Sequence, residues 1–123
     1  MGKPVHFEIG AENVQRAIRF YQDVFGWKVQ PWEGPMEYWL VDGGPGDGIN
    51  GAIMLRPAPD FATVNTIAVP SLEEALAKVE AAGGQLEGQV QTIPGVGRFS
   101  YGRDSEGNRI GILEPIAMGG SDR

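Results

Sequence analysis

Residues 13–27 read NVQRAIRFYQDVFGW, and residues 71–84 read SLEEALAKVEAAGG. In the first stretch Val14, Ala17, Ile18 and Tyr21 fall at i, i+3, i+4 and i+7, the spacing of one apolar helix face. Asn13 offers a capping oxygen at its start, and Gly26 offers a left-handed stop at its end. The second stretch repeats the pattern with Leu72, Ala75, Leu76 and Val79. There Ser71 caps, Glu74 completes a capping box, and Gly83-Gly84 terminates. Laying Asn13 on Ser71 brings Ala17 onto Ala75, Ile18 onto Leu76 and Gly26 onto Gly84. Carried on without a gap, the same shift brings Asn50 onto Asn108, Leu55 onto Leu113 and Pro57 onto Pro115. Identities are few, but the repeated register of caps, stripes and stops points to a duplicated unit.

The remaining chain reads as strands. Val5, Phe7 and Ile9 alternate with His6 and Glu8, Val64 and Thr66 with Asn65 and Ile67, and Ile110 and Ile112 with Arg109, Gly111 and Leu113. Further strands are expected at 27–31, 37–42, 49–55, 86–92 and 97–103, with DSEGN at 104–108 as a turn between the last two. Each half then runs strand–helix–strand–strand–strand. The expectation is an α+β fold of two βαβββ modules, residues 3–57 and 61–116, forming one domain. Their strands would make a curved eight-stranded mixed sheet around a concave cavity, with helices on the convex side. Residues 117–123 read as a flexible tail.

Composition narrows the functional classes. A chain of 123 residues can bury a real core without staples. A formal charge of −6 argues against non-specific binding to nucleic acid or to an anionic membrane. The absence of cysteine excludes disulfides, thiolate zinc sites and cysteine nucleophiles. No apolar run approaches the ~20 residues of a membrane span, and no signal peptide is evident, so a cytoplasmic location is expected.

His6 is the single histidine, and Glu8 follows two residues later on the same strand face. Side chains so spaced lie roughly 6–7 Å apart. They can share a ligand or a water, act in acid–base chemistry, or form a polar pair of local structural value alone. A neighbouring carboxylate would raise the imidazole pKa. Parity along the strands suggests a lining of His6, Glu8, Gly51, Ile53, Leu55, Val64, Thr66, Ala68, Arg109, Gly111 and Leu113. Trp39 or Tyr38 would join it, with Trp39 the one carried forward, together with Tyr101. That mixture is mostly apolar with a few polar groups, as small-molecule pockets are. Arg109 reads as an anion clamp or as a snorkelled surface arginine. Trp27 is expected beneath the first helix, and Trp32 over a loop or an intersubunit seam.

Three motif matches fail their context. GDGING at 46–51 satisfies G-x-G-x-x-G, but a strand follows it rather than a helix. DSEGN has its glycine in the wrong place for a calcium loop. Glu73-Glu74 sits in a helix's first turn, where it complements the dipole.

The opening VHFEI, the run RAIRFYQDVFGW, NTIAVPSLEEALAKVEAAGG and IPGVGRFSYGRDSEGNRIGILEP together resemble the vicinal oxygen chelate superfamily, over nearly all of residues 3–116. That superfamily includes glyoxalase I, bleomycin-resistance proteins and extradiol dioxygenases. ING-AIMLRP followed by VNTIAVPSLEEAL also resembles a small glyoxalase-like branch found in bacteria and archaea. The resemblance implies paired βαβββ modules and, in the metal enzymes, one divalent ion held from the first and last strands of each half. Carried over, the ligand positions fall on His6, Val64, Ile53 and Gly111. Only His6 has a donor atom, and a protein-held divalent ion normally takes three or four side-chain ligands.

The resulting expectation is a metal-independent small-molecule binding protein with no cofactor. Its site would be drawn from His6, Glu8, Trp39, Ile53, Val64, Thr66, Tyr101, Arg109 and Gly111. The alternative is a lyase, isomerase or dioxygenase-like enzyme that uses His6 and Glu8, with a divalent metal completed by groups not foreseen. A third reading is an assembly module with a vestigial pocket. A homodimer is expected by analogy with the family, with neither nucleic acid nor membrane as a partner.

Overall fold

A computed structural model describes residues 2–116; the tail expected at 117–123 lies outside the described residues. The elements run β1 (Lys3–Ala11), α1 (Val14–Phe25), β2 (Lys28–Pro31), β3 (Tyr38–Asp42) and β4 (Gly51–Leu55). They continue with β5 (Thr63–Ala68), α2 (Leu72–Ala81), β6 (Gln85–Ile93), β7 (Gly97–Arg103) and β8 (Arg109–Pro115). Val5–Asn65 form a first compact unit, and residues 2–4 with 66–116 form a second. The class is α+β with mixed strand pairing, as the sequence implied. Among the described residues no helix is long and apolar enough to cross a membrane.

In the first unit the strand order is β2-β3-β4-β1. β1 pairs with β4 in parallel, while β2 with β3 and β3 with β4 are antiparallel. α1 forms where its sequence dictates. The Asn13 side chain accepts a hydrogen bond from the Arg16 amide at 3.0 Å. Gly26 takes φ 70° and donates its N–H to the Gln22 carbonyl. A β-carbon is disfavoured at that angle, so glycine ends the helix at little cost. Val14 and Ile18 turn inward onto Ala11, Val41 and Ile53, and Tyr21, Trp27 and Trp39 pack around that core. Trp27 stacks on Tyr21 at 4.6 Å, the place beneath α1 expected for it.

The same order recurs as β5-β8-β7-β6, of which β5 belongs to the second unit from Thr66 onward. Ser71 accepts from the Glu74 amide, as the capping box requires. A second acceptor comes from far along the chain, because Glu114 takes the Leu72 N–H at 2.8 Å. Arg98 grips Glu73 through two bonds of 2.6 and 2.7 Å and reaches Glu114 at 2.9 Å. Hydrogen bonding from Arg98 holds the Glu73 carboxyl down at about 2. Glu73 therefore has a specific partner beyond the helix dipole. Asp104 accepts from the Glu106 and Asn108 amides, which fixes DSEGN as a turn.

The registers correct one expectation. In the parallel pair, Glu8 lies opposite Ala52 and Ile9 opposite Ile53. Ile9 and Ile53 belong to the helix-side core, so β4 turns Ala52 and Met54, not Gly51, Ile53 and Leu55, to the face of His6 and Glu8. In β8, Glu114 reaches α2, so by alternation Gly111 faces away from that helix. The sequence shift that matches the helices is therefore out of phase by an odd number at the last strand of each unit. Ile53 is fully buried. Ile53→Ala is expected to lower the unfolding free energy by about 2–5 kcal/mol in urea denaturation, because it leaves a cavity beneath α1.

Candidate functional site

On the face of the first unit that points away from α1, three polar side chains are joined. The Tyr38 hydroxyl donates to Glu8 Oε2 at 2.7 Å and lies 2.8 Å from His6 Nε2. β1 places His6 and Glu8 one pleat apart, and β3 brings Tyr38 to the same face, opposite Met54. The phenol spans the gap that the strand rise leaves between the imidazole and the carboxylate. Glu8 is 6% exposed, and Ala52 and Met54 supply the apolar floor. Trp32 stands edge-on to Tyr38 at 5.6 Å, and its amide donates to the Tyr38 carbonyl. Gly34 lets the indole fold over, since a β-carbon there would stand 2.1 Å from the ring.

The proton inventory follows from this geometry. A phenol has one proton, and an O–H to carboxylate bond is the strongest use of it. With that proton directed at Glu8, the Tyr38 oxygen accepts from His6 Nε2–H, which leaves Nδ1 as the ring's basic atom when the imidazole is neutral. Burial pushes the His6 pKa below its ordinary value, and the Glu8 charge opposes that only in part. The expected rise from a nearby carboxylate is thus outweighed by desolvation.

The remaining expected residues divide by place. Trp39 lies opposite Ile53 and packs against the core of the first unit, with its indole N–H directed at Glu37. It does not share the His6 face; its neighbour Tyr38 does. Val64 is buried at 1% exposure. In the second unit Thr66 and Gly111 adjoin, and a β-carbon on Gly111 would stand 2.8 Å from the Phe99 ring and 2.9 Å from Thr66 Oγ1. Tyr101 lies opposite Gly111 and meets Phe99 edge-on at 4.7 Å. Arg109 donates to both oxygens of Glu87, at 2.6 and 3.1 Å, and Arg103 donates to the same carboxylate. The Arg109 side chain is only 10% exposed, so it is not a snorkelled surface arginine, and its guanidinium is engaged by Glu87. Its bonds are the chief cause that holds the Glu87 carboxyl below the usual range.

A divalent ion does not fit this donor set. Among the described residues no three His, Asp or Glu side chains converge on one point. Ile53 faces the core, and Phe99 fills the space that a side chain at position 111 would need. Phe99 and Glu87, whose roles depend on which strands pair, escape the sequence reading, and Tyr38 is weighed there as the alternative to Trp39 but not carried forward. YWLV at 38–41 shows no polar alternation to reveal its phase.

Two outcomes test this geometry. Tyr38→Phe is expected to cost about 1–3 kcal/mol, because it removes the hydroxyl that both neighbours use; urea unfolding measures it. For His6 the folded state binds its proton less readily than the unfolded chain, so stability is full above about pH 6.5 and falls as pH drops below it. The melting temperature of the wild type should therefore decline from about pH 7 to about pH 5, and His6→Gln should flatten that decline. The carboxylates of Glu73, Glu87, Asp104 and Glu114 are also held low, so their contributions fade only at more acidic pH.

Comparison with known proteins agrees with the fold. A relative from Didymella fabae, named a glyoxylase-like domain-containing protein, is 33% identical over 114 residues, covering 85% of this chain and 88% of its own. Methylmalonyl-CoA epimerase from Mycobacterium tuberculosis superposes with a TM-score of 0.69 at 16% identity, covering 96% of this chain and 91% of that one. A hypothetical protein from Bacillus halodurans C-125 gives 0.70 at 12% identity, over 94% and 96% of the two chains. Residues 3–112 match the profile of the Glyoxalase/Bleomycin resistance protein/Dioxygenase superfamily, and the chain belongs to that superfamily.

Proposed function

We propose that this chain is a small-molecule binding protein that works without a metal and holds its ligand against the His6–Tyr38–Glu8 face of the first unit. The observation that carries this reading is the Tyr38 hydroxyl seated between His6 Nε2 and Glu8 Oε2. It ties up the two groups best suited to grip a cation and leaves a fixed polar edge on an apolar floor. A ligand hydroxyl or N–H directed at Nδ1 would be oriented by that edge. A solved neighbour is methylmalonyl-CoA epimerase in complex with methylmalonyl-CoA and NH4+, which supports small-molecule occupancy on this fold. Membership of the small glyoxalase-like branch, duplicated modules at 3–57 and 61–116, a homodimer and a cytoplasmic location belong to the same proposal. So do ligand contacts at Val64 and, taken within the second unit by itself, at Thr66, Tyr101 and Gly111.

One observation favours a second reading, a metal-free enzyme of proton transfer. His6 is half-buried and kept neutral, so Nδ1 is a base at ordinary pH. On taking a proton there, the imidazolium would pass its charge through Nε2–H to Tyr38, whose own proton already faces the Glu8 carboxylate. That orients the ring and stabilises the charged form as it appears. The neighbours named methylmalonyl-CoA epimerase support an enzyme on this fold, since each is one.

The two readings separate in one series. Small hydroxylated and carbonyl compounds are titrated against the purified protein by intrinsic tryptophan fluorescence, with and without EDTA. The expected result is affinity unchanged by EDTA and weakened about tenfold or more in His6→Ala. Affinity that collapses with chelator and returns with zinc would refute metal independence. Turnover of a bound compound that vanishes in His6→Gln while binding persists would establish the enzyme.

A further inference from the structure

β1 presents two faces, and the reading above uses only one. On the other face, toward α1, the first unit holds an open cleft of about 500 Å³. Its apolar walls are Ile9, Ala17, Phe20 and Tyr21, and Arg16 and Arg56 stand at it. We propose that this cleft is a second ligand site that takes a planar aromatic carboxylate.

The residues argue for both halves of that ligand. Phe20 is 56% exposed although it lies edge-on to Tyr21 at 5.1 Å, and Tyr21 is backed by Trp27. The pair forms a stiff aromatic wall with one ring uncovered, and a flat ligand ring stacked there would take apolar surface out of water. The charge is local and opposite to that of the whole chain. The protein carries −6, yet this cleft sets two guanidiniums against one carboxylate, that of Glu12. Glu12 does little to neutralise them: it stands 4.0 Å from Arg56 and is 78% exposed.

Arg56 is also held in place rather than left to wave in solvent. It follows β4 directly, and its amide donates to the Ala11 carbonyl at 3.0 Å. Its Nη2 donates to the Gly10 carbonyl at 3.1 Å. A guanidinium so anchored loses less freedom on receiving a carboxylate. The volume lies within the range of ordinary small-molecule sites, roughly 300–1,000 Å³. An aromatic carboxylate meets both features at once: the ring covers Phe20, and the anion meets the guanidiniums in place of Glu12.

The probe is 2-naphthoate, with 2-naphthamide as its uncharged counterpart, both titrated by ligand-detected NMR. Wild type should bind the acid at least about tenfold more tightly than the amide. Arg56→Gln should weaken the acid about tenfold, Arg16→Gln about threefold or more, and Glu12→Gln should tighten it about threefold. His6→Ala, on the opposite face of β1, should leave naphthoate binding unchanged. Arg56 also supports the β1 carbonyl of Gly10, so circular dichroism checks its variant; if Arg56→Gln is unfolded, Arg16→Gln and Glu12→Gln decide the matter. Absence of naphthoate binding, equal binding of acid and amide, indifference to both Arg16 and Glu12, or loss on His6→Ala would each overturn the proposal.

Discussion

The parallel pairing of β1 with β4 is the constraint from which the first unit's chemistry follows. Once Glu8 sits opposite Ala52 and Ile9 opposite Ile53, alternation assigns every side chain on those strands to one face or the other. Antiparallel pairing then carries the phase to β3 and turns Tyr38 to the His6 face and Trp39 to the core. Slip that register by one residue and the imidazole, the carboxylate and the phenol no longer meet. Burial enforces the choice, because Val14 and Ile18 of α1 can cover the Ile9–Ile53 side but could not cover a buried Glu8.

The second unit keeps the topology of the first but not its polar triad. Its equivalent face carries Thr66, Gly111, Phe99 and Tyr101, with Arg103 and Arg109 gathered on Glu87. Phe99 occupies the volume that a side chain at Gly111 would need, so placing a carboxylate at 111 would require moving an aromatic ring as well as changing one residue. On the helix side, Glu114 and Arg98 are used to secure the start of α2, a stabilising role.

Much of this was legible from the chain. Both helices and their caps could be read, because an N-cap, an apolar stripe and a terminating glycine act within a dozen residues of each other. The face shared by His6 and Glu8 could be read as well, because VHFEI alternates polar with apolar. Where alternation fails, so does the reading. GAIML at 51–55 and YWLV at 38–41 are apolar on both faces, and a strand buried on two sides carries no periodic mark of which side is which. The shift that matched the helices gave a plausible phase for β4 and the wrong one, since a repeat can gain or lose a residue in the loops between.

Local interactions, then, settled by sequence alone where helices start and stop, and that one histidine stands beside one carboxylate on the same strand face. Tertiary structure decided that a tyrosine joins the two, that burial rather than charge governs the imidazole, and that Arg109 is held by Glu87. Each of these depends on residues brought together from about twenty or more positions apart, by strand pairing whose register is fixed by what the opposite face must bury.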